Sequence, residues 1–129
     1  MKKFLLLVAI ISIPTLFSCK ELVVTYKDSG KEITLVKGQV LKITLPANAS
    51  TGNIWRKTAY NDSIIYRYGK SNYMLADENA VGSPGTLTVR FKALNSGKTK
   101  LFMEYGSRFD EHEKALKEFS LDITVVDMK

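Results

Sequence analysis

The chain is 129 residues long, with a formal net charge of +6 at pH 7, one cysteine and one histidine. A lone cysteine excludes an internal disulfide, so a domain built from this sequence must stand on packing. The 19 Lys and Arg are dispersed among 13 Asp and Glu, with no basic run interleaved with aromatics. That pattern argues against nucleic-acid binding and leaves only a weak attraction to acidic partners or anionic headgroups.

Lys2 and Lys3 precede an apolar run over residues 4–13. The run is too short to span a bilayer as an ordinary helix and has the layout of a secretory signal. Leu16-Phe17-Ser18-Cys19 follows and reads as a bacterial lipobox, in which the signal is cut before the cysteine and the thiol is acylated. The other reading is a plain secretory signal with its only cysteine near the end. On the lipobox reading, residues 1–18 are a lipoprotein signal peptide. Residues 19–129 are then one exported domain, held at a membrane of the bacterial cell envelope by lipid on Cys19. More than one acyl chain makes such anchoring stable. Loss of Lys2 and Lys3 lowers the formal charge of the remainder from +6 to +4. A domain of about 110 residues can bury one adequate core.

From there the pattern has period two. Leu22-Val23-Val24-Thr25-Tyr26 predicts a first strand, and Ile33 and Leu35 mark a second. Lys37-Gly38 supplies a turn. Leu41, Ile43 and Leu45 then alternate with Lys42 and Thr44, up to Pro46, which has no N–H for a ladder and is expected to end the strand. Ile54-Trp55-Arg56-Lys57-Thr58 reads as a short strand with Trp55 in the core. Residues 60–80 alternate weakly and predict one or two short edge strands with a long loop. Leu87, Val89, Phe91 and Ala93 form the cleanest strand, turned by Asn95-Ser96-Gly97 into Leu101, Met103 and Tyr105. Residues 111–118 have helix-forming composition but are read as a charged hairpin tip, after which Phe119, Leu121, Ile123 and Val125 close the domain. Short strands with one apolar face predict an all-β, antiparallel two-sheet sandwich of about seven to eight strands.

Nothing in the sequence makes a case for catalysis. His112 sits in Asp110-Glu111-His112-Glu113, and adjacent residues of one loop rarely converge on one metal ion. There is no nucleophile elbow, P-loop or dinucleotide fingerprint. No metal or cofactor is expected.

The unusual material lies in the loops. Asn48-Ala49-Ser50-Thr51-Gly52, with Trp55 behind it, separates two strands, and Gly82-Ser83-Pro84-Gly85 leads into the Leu87–Ala93 strand. After Tyr105 comes Gly106-Ser107-Arg108-Phe109. In this order and spacing the chain resembles the chagasin family of papain-type cysteine-peptidase inhibitors. Its first family loop reads Asn-Pro-Thr-Thr-Gly, its second Gly-x-Gly-Gly or Gly-x-Pro-Gly, and its third Arg-Pro-Trp. The third loop departs from that pattern: the proline is absent, Phe109 stands where the tryptophan would be, Ser107 holds the arginine position and Arg108 falls one place late. The resemblance covers nearly all of residues 19–129.

What the resemblance implies is an immunoglobulin-like sandwich that presents three inhibitory loops at one end. The loops would be residues 48–52, 82–85 and 107–109. The protein would then be a reversible, non-covalent inhibitor of papain-like cysteine peptidases, a monomer, and not an enzyme. The alternative is a non-inhibitory immunoglobulin-like adhesion or scaffolding lipoprotein that keeps the sandwich. The two differ in a geometric requirement: an inhibitor of this kind needs Thr51, Ser83 and Phe109 side by side.

Overall fold

Alternation of apolar and polar residues gives each strand one face to bury, and two such sheets cover one another. The computed structural model describes residues 20–75 and 84–127. The expectations for Cys19 and the signal segment, and for Gly82 and Ser83, lie outside those residues.

The strands in chain order are β1 (Leu22–Thr25), β2 (Glu32–Val36), β3 (Val40–Ala47), β4 (Asn53–Ala59), β5 (Ile65–Arg67), β6 (Asn72–Leu75), β7 (Gly85–Ala93), β8 (Gly97–Ser107) and β9 (Lys117–Val126). One sheet runs β1-β3-β7-β5, with β6 also on β7, and the other runs β2-β9-β8-β4. Leu41, Ile43, Leu45, Val89 and Phe91 of the first sheet form one buried cluster with Leu35, Leu101, Met103, Phe119, Leu121 and Ile123 of the second. Burying each of these larger side chains contributes roughly 1.5–3 kcal/mol.

The fold class is as expected, an all-β sandwich, but its details differ. There are nine strands among the described residues. Two of them, β5 and β6, are the short edge strands expected within residues 60–80, and they share one edge: β5 pairs with Phe91–Ala93 and β6 with Gly85–Thr88. Each sheet also carries one parallel pair, β1 with β3 and β2 with β9. The first arises because the chain crosses to the other sheet for β2 and returns, so β3 runs in the direction of β1. Period-two alternation is the same in parallel and antiparallel strands and cannot report this.

Pro46 does not end its strand. It pairs opposite Thr86, and β3 continues to Ala47. The β1 partner reaches only Thr44, so β3 has a neighbour on one side at Pro46, where a proline is tolerated. Residues 111–116 form turns without helix, and Lys117 and Glu118 already belong to β9. Tyr105 pairs with Lys117 and also accepts the Leu116 N–H at 2.8 Å, which closes the hairpin.

Trp55 stands at the rim of the core rather than within it. It is half-buried and packs against the cluster from β4, an edge strand. Its ring lies 5.2 Å from that of Tyr105 and 6.2 Å from that of Tyr26, and its Nε1–H donates to the Pro46 carbonyl at 3.0 Å. The indole therefore ties β4 to the end of β3, directly below the loop that joins them.

Candidate functional site

The loop between β3 and β4 is braced by its own side chains. Residues Ala49–Thr51 make one 3-10 turn, and Gly52, at φ +82°, turns the chain into β4. Glycine adopts that left-handed geometry without steric cost. Asn48 Oδ1 accepts from the Ser50 amide at 3.2 Å and the Ser50 hydroxyl at 2.6 Å. The Asn48 carbonyl accepts from the Thr51 amide at 3.2 Å and the Thr51 hydroxyl at 2.7 Å. Thr51 Oγ1 in turn accepts from Asn53 Nδ2 at 3.1 Å. Both hydroxyl protons are used within the loop, so Ser50 and Thr51 shape it first and can meet a partner only as acceptors.

The loop is also fastened from below. The buried Tyr105 hydroxyl accepts the Asn48 N–H at 3.0 Å and lies 3.4 Å from the Asn48 carbonyl. Asn48→Ala is expected to remove the internal brace while leaving the anchor to Tyr105. Thermal denaturation should register a loss on the order of 1 kcal/mol, the usual worth of such bonds.

The loop after β8 lies against this first loop. Asn53 pairs with Ser107 at the end of the β4–β8 ladder, and the Arg108 N–H donates to the Gly52 carbonyl at 2.9 Å. A Cβ built on Gly52 would stand 3.1 Å from the Phe109 ring, so the glycine makes room for that close approach. Phe109 is nevertheless 83% exposed. Ser107 Oγ accepts the amides of Phe109 and Asp110 at 3.1 and 3.2 Å, and the Arg108 guanidinium lies 5.6 Å from the Phe109 ring centre.

The second loop is described only at Pro84 and Gly85. Gly85 pairs with Ala47, the last residue of β3. It is pressed against β6, where any Cβ would collide with the Met74 carbonyl oxygen. Thus the ends of β3 and β8 and the starts of β4 and β7 share one end of the sandwich. The structure brings Thr51, Gly52, Arg108 and Phe109 together, with Pro84 and Gly85 entering from the β7 side.

Residues 34–123 match the family model described as chagasin family peptidase inhibitor I42. The chain belongs to the chagasin family. That family consists of inhibitors rather than enzymes, in keeping with the missing catalytic motifs. Among solved structures, the chagasin-family domain is similar to the cysteine protease inhibitor EhICP2 from Entamoeba histolytica, with TM-score 0.74 and 18% identity over 84% of this chain and 98% of that one. It is similar to amebosin, with TM-score 0.62 and 20% identity over 83% and 99% of the two chains. It also resembles PbICP-C, solved in complex with falcipain-2, with TM-score 0.53 and 18% identity over 84% and 91%. At these identities the likeness is one of fold. No curated protein sequence matches the chain.

The chagasin-family site has a support that the sequence alone left unseen. Arg56 sits under the third loop, its side chain only 7% exposed, and is paired with Glu104. In the sequence it is one basic residue in a strand that also holds Lys57. Among the described residues, no three His, Cys, Asp or Glu side chains converge as a metal site would require.

Proposed function

We propose that this protein is a reversible, non-covalent inhibitor of papain-like cysteine peptidases, acting as a monomer and filling the active-site cleft with loops 48–52, 82–85 and 107–109. The observation that carries this reading is the bond from the Arg108 amide to the Gly52 carbonyl, which joins the first and third loops at one end of the sandwich. PbICP-C, of similar fold, was solved in complex with falcipain-2.

The chemistry of the cleft suits this geometry. A papain-type peptidase attacks a scissile carbonyl with a thiolate paired to an imidazolium. It binds its substrates extended. The first loop is wound into a 3-10 turn whose leading carbonyl, that of Asn48, is occupied by Thr51. Such a loop can enter the cleft without offering a substrate-like peptide bond. Gly85 begins β7 with little side-chain bulk, as backbone pairing with a cleft edge requires. Phe109 and Arg108 supply an aromatic and a cationic anchor, residue types that often dominate interface energy. Loops already braced reduce the ordering cost of binding.

The test is an inhibition assay of the chain from Lys20 onward against a panel of papain-family enzymes. Competitive inhibition that reverses on dilution, with the chain recovered uncleaved, is the expected result. No inhibition at high micromolar concentration across the panel would leave the adhesion or scaffolding reading instead. We place the protein at a bacterial envelope membrane through palmitate-type lipid on Cys19. Cys19→Ser is expected to move it from the membrane to the soluble fraction; unchanged fractionation would reject the anchor.

A further inference from the structure

The third loop is braced locally only by short turns: Ser107 Oγ accepts the Phe109 and Asp110 amides, and Asp110 accepts those of His112 and Glu113. Between Ser107 and Leu116 there is neither proline nor glycine. Its two exposed anchors, Arg108 and Phe109, nevertheless occupy a defined place beside Gly52. What ties these separate turns together comes from β4. The β4–β8 register shifts between Trp55 and Lys57, so Arg56 is the bulged residue. A bulge re-aims a side chain, and here the chain passes over the outer face of β8.

On that face a Cβ at Gly106 would stand 2.7 Å from Arg56 Cζ, so a larger residue there would push the guanidinium out of this place. Glu104, two residues earlier on the same face, receives it: Nε and Nη2 each lie 3.1 Å from Glu104 Oε1. Nη1 donates to the Ser107 carbonyl at 3.0 Å and the Asp110 carbonyl at 2.9 Å, and Nη2 donates to the Glu113 carbonyl. A guanidinium has five N–H donors in a rigid plane, and four hydrogen bonds leave it here, with the ion pair to Glu104 beside them. Three of the five grip backbone carbonyls spread across the hairpin tip.

We propose that Arg56 is the positioning residue of the third loop, its guanidinium holding the backbone from Ser107 to Glu113 so that Arg108 and Phe109 are preset for the peptidase cleft. The residue touches no partner itself. It acts through the loop, and its contribution to inhibition rests on the function proposed above; its hold on the loop does not. Lysine cannot replace it, because one ammonium cannot reach Glu104 and three separated carbonyls together.

The test uses the whole protein in detergent, as wild type, Arg56→Lys, Phe109→Ala and the double variant. Hydrogen exchange is read first. In Arg56→Lys the amides of residues 107–116 are expected to exchange about tenfold faster or more, while those in the middle of β7 and β9 keep their rates. Unchanged exchange at 107–116, or uniform acceleration through the domain, would overturn the proposal. Should Arg56→Lys fail to fold, Arg56→Gln with Glu104→Gln removes both charges and answers the same question. Inhibition is read second. Arg56→Lys is expected to weaken it about tenfold in the wild type and less than twofold when Phe109 is already alanine, since contacting groups couple and independent ones add. Equal losses in both backgrounds would also overturn it. A wild type that inhibits no papain-like enzyme would refute the proposed function alone, and the exchange comparison would still decide whether Arg56 holds the loop.

Discussion

Trp55→Ala is expected to destabilise the domain by about 3 kcal/mol, the lower end of the range for removing a large buried aromatic. The lower end applies because the indole is only half-buried. Its loss still takes one partner from each of three groups. Tyr105 and Tyr26 lose an aromatic neighbour, and the Pro46 carbonyl loses the Nε1–H donor. Tyr105 also holds Asn48, so damage should spread into the first loop. Chemical denaturation of wild type and variant gives the number directly. At about 4 °C per kcal/mol for a domain of this size, the melting temperature should fall by roughly 12 °C. Equal melts would show that Trp55 does not hold the strand ends together.

Phe109→Ala should have the opposite signature. The ring is 83% exposed and packs only lightly against Gly52, so stability should change by less than about 0.5 kcal/mol. An exposed aromatic held at the tip of a fastened loop has the character of an interface anchor. Its truncation is expected to weaken peptidase inhibition by about 2 kcal/mol, roughly thirtyfold. Inhibition constants for wild type and variant against one susceptible enzyme measure this. An unchanged constant would remove the third loop from the contact surface. Comparing the two variants separates the two expected tasks: Trp55 holding the strands and Phe109 meeting the proposed partner.

Much of this arrangement is legible in the sequence. Alternation at Leu41-Ile43-Leu45, at Val89-Phe91-Ala93 and at Phe119-Leu121-Ile123-Val125 reports which side chains are buried, because a strand presents every second residue to one face. The loop residues were visible because serine, threonine, asparagine and glycine cluster where a strand must turn, and their order carried the family. A strand tryptophan predicts a core position for Trp55, whereas its place on an edge strand near the loop end leaves it at the rim. Arg56 was not legible as a support. Its role depends on a bulge and on Glu104 and Gly106, about fifty positions away, and no local pattern marks it.

The strand faces and most turns are thus written in residues a few positions apart, and the family in the order and spacing of three short loops. Which strand ends meet is settled at the level of the folded sandwich. The Ala47–Gly85 pairing, the bond from Arg108 to the Gly52 carbonyl and the Arg56 grip on the third loop all join segments distant in sequence. Such contacts form when two sheets close over one core, and that closure turns separate loops into one edge.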